Sequence, residues 1–328
     1  MSRSFDLVTV GASTQDVFLQ SRSFQRVHDS CAPDGFDALI PFGAKLAVDD
    51  LFFASGGGGT NVAVTAARFG LHTACIGCIG ADAHADDILA ELKAEGVSTT
   101  LFQRDPELHT GYSVILLDGA GHRAIFTHRG AANHVQSKNI PWKTLKTKAW
   151  YLASTGGNLE LTHAVARHAR LQQQFLAWNP GNEELKHGLH ELAPILLSTD
   201  VLLVNREEAS LLSGRPVRHL SSIVRTLLPL VRDTLLITDG EHGAYVFTQH
   251  HSYYSPVLPV DPINTTGAGD GFGSAFVAAR LMGKSIEVSF RAAMLNAASV
   301  ITHMGPKVGI LKKFPSSSAL SRVTLETC

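Results

Sequence analysis

Short apolar and β-branched runs alternate with amphipathic helical stretches along nearly the whole of this chain, and that alternation restricts its fold more than any other feature. Residues 7–10, 73–79, 150–153, 175–178, 201–204 and 235–238 have the length and composition of strands. Between them, 60–69, 84–95, 159–170 and 206–213 have helical apolar spacing, and Gly70, Gly96 and Gly214 stand just past three of these stretches. Glycine there is a helix stop, because it takes left-handed backbone without strain. Strands alternating with helices predict an α/β domain, a mostly parallel sheet covered on both faces in three layers.

Two segments break the rhythm. Residues 16–54 have no helical period and carry Pro33, Gly35, Pro41 and Gly43. Residues 110–129 predict a hairpin, with strands at 111–117 and 122–128 about a turn at Asp118-Gly119-Ala120-Gly121. We read residues 1–328 as one domain whose two inserts pair into a small β-sheet, a lid beside the main sheet.

A formal net charge of -1 and a pI near 7.0 give no basic surface for nucleic acid and no Lys/Arg block for a membrane. No apolar run approaches the roughly 20 residues of a membrane span, and the N-terminus lacks a signal-peptide pattern. A reducing, cytoplasmic setting follows, with no disulfide framework among the four cysteines. Cys75-Ile76-Gly77-Cys78 lies in a strand-like run with no second pair to complete a zinc site, so both cysteines read as small buried apolar groups. The 16 histidines show no metal-site spacing.

The chemistry concentrates in Asn264-Thr265-Thr266-Gly267-Ala268-Gly269-Asp270-Gly271-Phe272. A glycine-bearing loop runs straight into a helical pattern there, so bare amides at the helix start and the helix dipole both favour a phosphate. Gly267, Ala268 and Gly269 form the anion hole. Asp270 follows where a base must sit to take the proton of an attacking hydroxyl, and the same dipole is expected to keep it ionised. A second run, Ser55-Gly56-Gly57-Gly58-Gly59-Thr60-Asn61, opens another helix. Gly57 and Gly58 expose backbone to a ligand, and Asn61 offers a donor and an acceptor to a sugar hydroxyl. Neither a P-loop nor a Rossmann Gly-x-Gly-x-x-Gly is present.

Together these two segments resemble the signatures of the ribokinase (PfkB) family of carbohydrate kinases, and the correspondence continues along the chain. Gly11 and Asp16 resemble the family's opening segment, whose Asp binds substrate hydroxyls. Asn205-Arg206-Glu207-Glu208 resembles its Asn-x-x-Glu, Thr238-Asp239-Gly240-Glu241-His242-Gly243 its nucleotide-binding turn, and Asn296-Ala297-Ala298 its late helix. The resemblance implies a ribokinase-like sandwich with a β-lid that serves as a dimer surface, and ATP-dependent phosphorylation of a sugar or sugar-like alcohol. It implies a substrate held by Asp16, Gly57, Gly58 and Asn61. It also implies ATP against Asn205, Thr238, Gly240, Gly243 and Asn296, with Glu208 acting indirectly on Mg²⁺.

At the first position of the last motif, usually Asp in the family, stands Asn264. Without a formal charge there, a monovalent-cation site and K⁺ activation are expected to be weak. The glycine run carries no Lys, which points to an unphosphorylated acceptor, and Arg129, at the end of the expected hairpin, either reaches an acidic substrate group or sits on the surface. Ser154-Thr155-Gly156-Gly157-Asn158 would add polar contacts. The two alternatives are a nucleoside kinase of the same family and a non-catalytic sugar-binding or regulatory protein on the same fold. For the nucleoside kinase, Phe18, Phe42, Phe52 and Phe53 would stack on a base; otherwise these read as lid core.

Overall fold

The computed structural model describes residues 4–29, 36–118 and 123–328. Cys31, Pro33, Gly35 and most of the expected turn at 118–121 lie outside them. In chain order the strands begin with β1 (Phe5–Val10), β2 (Thr14–Gln20), β3 (Gln25–His28), β4 (Phe36–Leu39), β5 (Asp50–Gly56), β6 (Thr73–Ile76) and β7 (Cys78–Ile79). There follow β8 (Gln103–Arg104), β9 (Gly111–Leu117), β10 (Arg123–His128), β11 (Thr147–Leu152), β12 (Phe175–Trp178) and β13 (Val201–Asn205). The last four are β14 (Thr234–Thr238), β15 (Ala244–Phe247), β16 (Ser252–Ser255) and β17 (Glu326–Thr327). The helices are α1 (Gly58–Arg68), α2 (Ala83–Ala94), α3 (Leu159–Leu171), α4 (Asn182–Leu185), α5 (Gly188–Leu196), α6 (Arg206–Ser213), α7 (Leu220–Leu227), α8 (Ala268–Leu281), α9 (Ile286–Ile301) and α10 (Ser317–Leu320).

A nine-stranded sheet, ordered β17-β16-β15-β14-β13-β12-β11-β1-β6, forms the spine. It is parallel from β6 to β14 and antiparallel beyond. Strand parity divides its core in two. Val8, Val10, Trp150, Leu152, Leu202 and Val204 pack with α3, α5, α6 and α7 on one face. Leu7, Tyr151, Ala177 and Leu203 pack with α1, α8 and α9 on the other. Burying both faces is what lets these strands carry apolar residues on both sides. Loops at the carboxyl ends of the parallel strands gather along one edge, where an open α/β sheet binds its ligands.

A separate four-stranded sheet, β10-β9-β2-β5, is built from the two segments that break the helical rhythm. Its register sorts side chains into rows. Ala54–Asp16–Ser113–Thr127 and Phe52–Phe18–Ile115–Ile125 lie on one face, and Phe53–Val17–Val114–Phe126 lies on the other. This corrects the reading of the four aromatics as one core: Phe18 and Phe52 pack together in the inner face with tilted rings, whereas Phe53 is turned outward by parity and is exposed, as is Phe42.

The run 73–79 is likewise not one strand. Gly77 divides it into β6 of the large sheet and β7, which pairs with β8. The chain must squeeze past Ser13 and Phe102 there, where a Cβ on Gly77 would lie 2.5 and 2.8 Å from their atoms. Cys75 and Cys78 are buried as expected, and burial pushes the Cys75 thiol up to about 12. Among the described residues no helix is long and apolar enough to cross a membrane.

Candidate active site

The glycines between β5 and α1 make room for two carboxylates. A Cβ on Gly56 would fall 2.0 Å from Asp16 Oδ2, and one on Gly58 would fall 3.3 Å from Asp270 Oδ1 and 2.9 Å from Ala153 Cβ. Gly57 bridges them with φ 95°, which only glycine takes readily. The chain thus lays bare backbone between Asp16 and Asp270.

The loop into α8 meets this strand end from the other side. Asn264 is buried, and its Oδ1 accepts from Thr266 N at 2.9 Å. Gly267 begins the helix in left-handed backbone, φ 82°, with Pro306 packed where a Cβ would stand. The amides of Gly269 and Asp270 donate to no acceptor among the described residues, and Gly269 faces open space. Free amides at the start of a 14-residue helix form a cradle for an anion.

Asp270 lies in the first turn, partly accessible, and its Oδ2 accepts from Asn61 Nδ2 at 2.8 Å. Burial pushes its carboxyl above the ordinary range, while the Asn61 bond and the Lys307 charge pull it back. Desolvation is the largest of these influences, because the carboxylate sits against packed backbone. Asn61 spends one of its two Nδ2 hydrogens on Asp270, and its buried Oδ1 has no partner.

Asp16, Gly57, Gly58, Asn61, Arg129, Gly267 and Asp270 line one polar cleft of about 230 Å³. The inner row of the small sheet brings Asp16, Ser113 and Thr127 to it side by side. Asp16 is 6% exposed and accepts from Thr14 Oγ1 at 3.0 Å; burial is the main influence raising its carboxyl. Asn133, Ser154 and Gly156 close the far side. Glu184, fully buried, holds that wall by accepting from Thr155 N (2.6 Å), Thr155 Oγ1 (2.8 Å), Gly157 N (3.1 Å) and Gly181 N (2.9 Å). Arg123 reaches from β10 to donate to Thr265 Oγ1, tying the small sheet to the loop before α8.

The residues assigned to the nucleotide lie elsewhere on the same edge. Asn205 and Glu208 cap α6 reciprocally, Oδ1 accepting from Glu208 N and Oε2 from Asn205 N, both at 2.8 Å. Burial raises the Glu208 carboxyl. Thr238 ends β14, and Gly240 and Gly243 shape the turn into β15. Asn296 requires a correction. It is fully buried, its Nδ2 donates to Gly271 O (2.8 Å) and its Oδ1 accepts from Leu311 N (2.9 Å). The side chain joins α9 to α8 and the following segment and exposes no atom to a base. An apolar groove of about 620 Å³, lined by Leu258, Leu295, Ala298 and Phe314, runs along the outside of α9 instead. Among the described residues no three His, Cys, Asp or Glu side chains cluster as a metal site.

Sequence reasoning missed Glu184, Arg123 and Lys307. No local signal in Gly-Asn-Glu-Glu or Gly-Pro-Lys marks Glu184 or Lys307 as buried.

A family model described as pfkB family carbohydrate kinase matches residues 32–313. A deoxyribokinase of Salmonella typhimurium is 25% identical over 264 residues, covering 76% of this chain and 82% of that protein. Among solved structures, Arabidopsis thaliana ribokinase complexed with ribose and ATP superposes with a TM-score of 0.75 at 22% identity, covering 98% of each chain. Burkholderia thailandensis nucleoside kinase in complex with inosine does so with a TM-score of 0.75 at 19% identity, covering 96% of each.

Proposed function

The chain belongs to the pfkB family of carbohydrate kinases, and from that premise we propose how its cleft moves a phosphoryl group from ATP to a hydroxyl of a sugar or sugar-like alcohol. The observation that carries the reading is the pairing of Asp270 with unclaimed amides at the start of α8. The acceptor lies against Asp16 and Asn61 Oδ1, its reactive hydroxyl aimed at Asp270. The γ-phosphoryl group rests on the amides of Gly269 and Asp270, with Gly267 and Ala268 shaping the cradle. As the acceptor oxygen bonds to phosphorus and the bond to the ADP oxygen breaks, Asp270 takes the hydroxyl proton. The protein's share is alignment and charge stabilisation rather than covalent chemistry.

ATP approaches past Asn205, Thr238, Gly240 and Gly243, and the apolar groove along α9 suits its base. Magnesium supplies charge neutralisation on the phosphates; the free oxygen of the Glu208 carboxylate fits a role through its water shell. A strong K⁺ site does not fit, because Asn264 brings no charge and its oxygen already serves Thr266.

The small polar cleft favours an unphosphorylated monosaccharide, with Arg129 free to meet an acidic substituent. Ile125, half exposed on the inner face beside the Asp16 row, favours a second reading in which a nucleoside base lies on it. The small sheet acts as a lid latched by Arg123, and its outer row, with Phe53 and Phe126 exposed, pairs with a second copy. The setting is cytoplasmic.

The test is ADP release with Mg-ATP and a panel of pentoses, hexoses, polyols and nucleosides. Turnover is expected with at least one alcohol, and Asp270→Asn should lower it on the order of 10²–10⁴-fold. Turnover of D270N within about tenfold of wild type removes Asp270 as base. Sugar binding without ADP release by wild type instead supports the non-catalytic alternative.

A further inference from the structure

The segment after α9 turns back across the site with three consecutive residues in three contacts. Gly305 lies under β5, where a Cβ would be 3.0 Å from Ala54 and 3.1 Å from the Phe52 ring. Pro306 packs on Gly267, 2.6 Å from where its Cβ would be. Lys307, only 4% exposed, turns its ammonium onto the start of the glycine run, donating to Ser55 O at 2.8 Å and Ser55 Oγ at 2.6 Å. Arg68, itself paired with Glu95 at 2.5 Å, clamps the segment from behind by donating to Lys307 O (3.0 Å) and Ile310 O (2.6 Å).

Both acceptors of Lys307 are neutral, and no carboxylate pairs with it directly among the described residues. A buried ammonium so placed is costly unless other charge compensates it. Glu91 and the two cleft carboxylates, Asp16 and Asp270, supply the compensating charge, and the two aspartates are each bonded only to neutral groups. We propose that Lys307 is a positioning residue for phosphoryl transfer: it sets the glycine run in register with the anion loop and supplies the fixed positive charge that balances Asp16 and Asp270. This rests on the reading of Asp270 as base.

The surroundings agree in sign. Burial draws Lys307 below the ordinary range, and Glu91, Asp16, Cys75 and Asp270 act to hold it up. Cys75, whose thiol stands at about 12, contributes no charge at neutral pH. Lys307 in turn favours the ionised forms of Asp16, Asp270 and Glu95. Tyr151, buried beside Asp270, is held well above its ordinary range and stays neutral, and Arg129 is the cation that lines the cleft itself.

The deciding measurement needs no substrate. With ¹³C in the aspartate carboxyls, the Asp270 resonance is assigned by its absence in D270N and titrated in wild type, K307M and K307R. Losing a nearby cation disfavours a carboxylate, so Asp270 should titrate at higher pH in K307M and return toward wild type in K307R. Coincident curves for wild type and K307M overturn the proposal. Should K307M not fold, the wild-type Lys307 Cε resonance, assigned by its absence in K307R, decides: a charged ammonium at pH 7 supports the role and a neutral amine refutes it. Turnover separates this from the base assignment. If D270N keeps turnover while K307M shifts the titration, the base reading and the catalytic part of the proposal fall together. If D270N loses turnover and the titration does not move, Lys307 alone is refuted.

Discussion

Replacing Asn61 by alanine deletes the 2.8 Å bond from Nδ2 to Asp270 Oδ2, the side-chain hydrogen bond that holds the proposed base. A hydrogen bond to a charged group is worth about 1.5–3 kcal/mol, and each 1.36 kcal/mol is about tenfold in rate. If that bond fixes the carboxylate in its reactive orientation, kcat should fall roughly 10- to 100-fold. Stability should change far less, because the same substitution removes Asn61 Oδ1, a buried acceptor without a partner whose burial costs about 1–3 kcal/mol. The bond also favours the ionised carboxylate, so the acid limb of kcat against pH should move to higher pH. The assay is initial-rate ADP release across pH, with urea unfolding run in parallel. In a D270N background the same substitution should have little further effect on turnover, since both changes act through one group. A kcat within threefold of wild type with an unmoved acid limb would refute the reasoning.

Asp270 titrates above its ordinary range because burial disfavours its charge. A raised carboxyl pKa means that the native state is penalised above the folded pKa and that the penalty vanishes below the unfolded one. D270N should therefore unfold at a higher temperature than wild type at pH 7, the gap closing toward pH 4; a gap constant with pH contradicts this origin. Glu184→Gln turns an NH₂ toward backbone donors at Thr155, Gly157 or Gly181. It should cost about 1–3 kcal/mol for each donor left unpaired and raise the acceptor KM through Ser154 and Gly156; an unchanged melting temperature tells against the bracing role. Asn264→Asp restores a formal charge beside the loop before α8 and should strengthen any K⁺ dependence, whereas superimposable K⁺ titrations of both proteins would count against it.

What the sequence determined by itself is whatever neighbouring residues encode. Periodicity located five of the main strands and the limits of four helices, since a strand or helix face repeats within a few residues. Glycine placement marked the bare loop before α8, because a backbone left free of side chains is a local property; the unclaimed amides at its end were legible for that reason. Tertiary structure decided everything that depends on which segments cross. Asn61 holds Asp270 across 209 positions of sequence. Sheet parity sends Asp16, Ser113 and Thr127 into the cleft and Phe53 to the surface. Asn296 joins α9 to α8, and Lys307 and Glu184 become buried charges. Burial and long-range pairing arise only when distant segments pack, and they determine how tightly a carboxylate holds its proton.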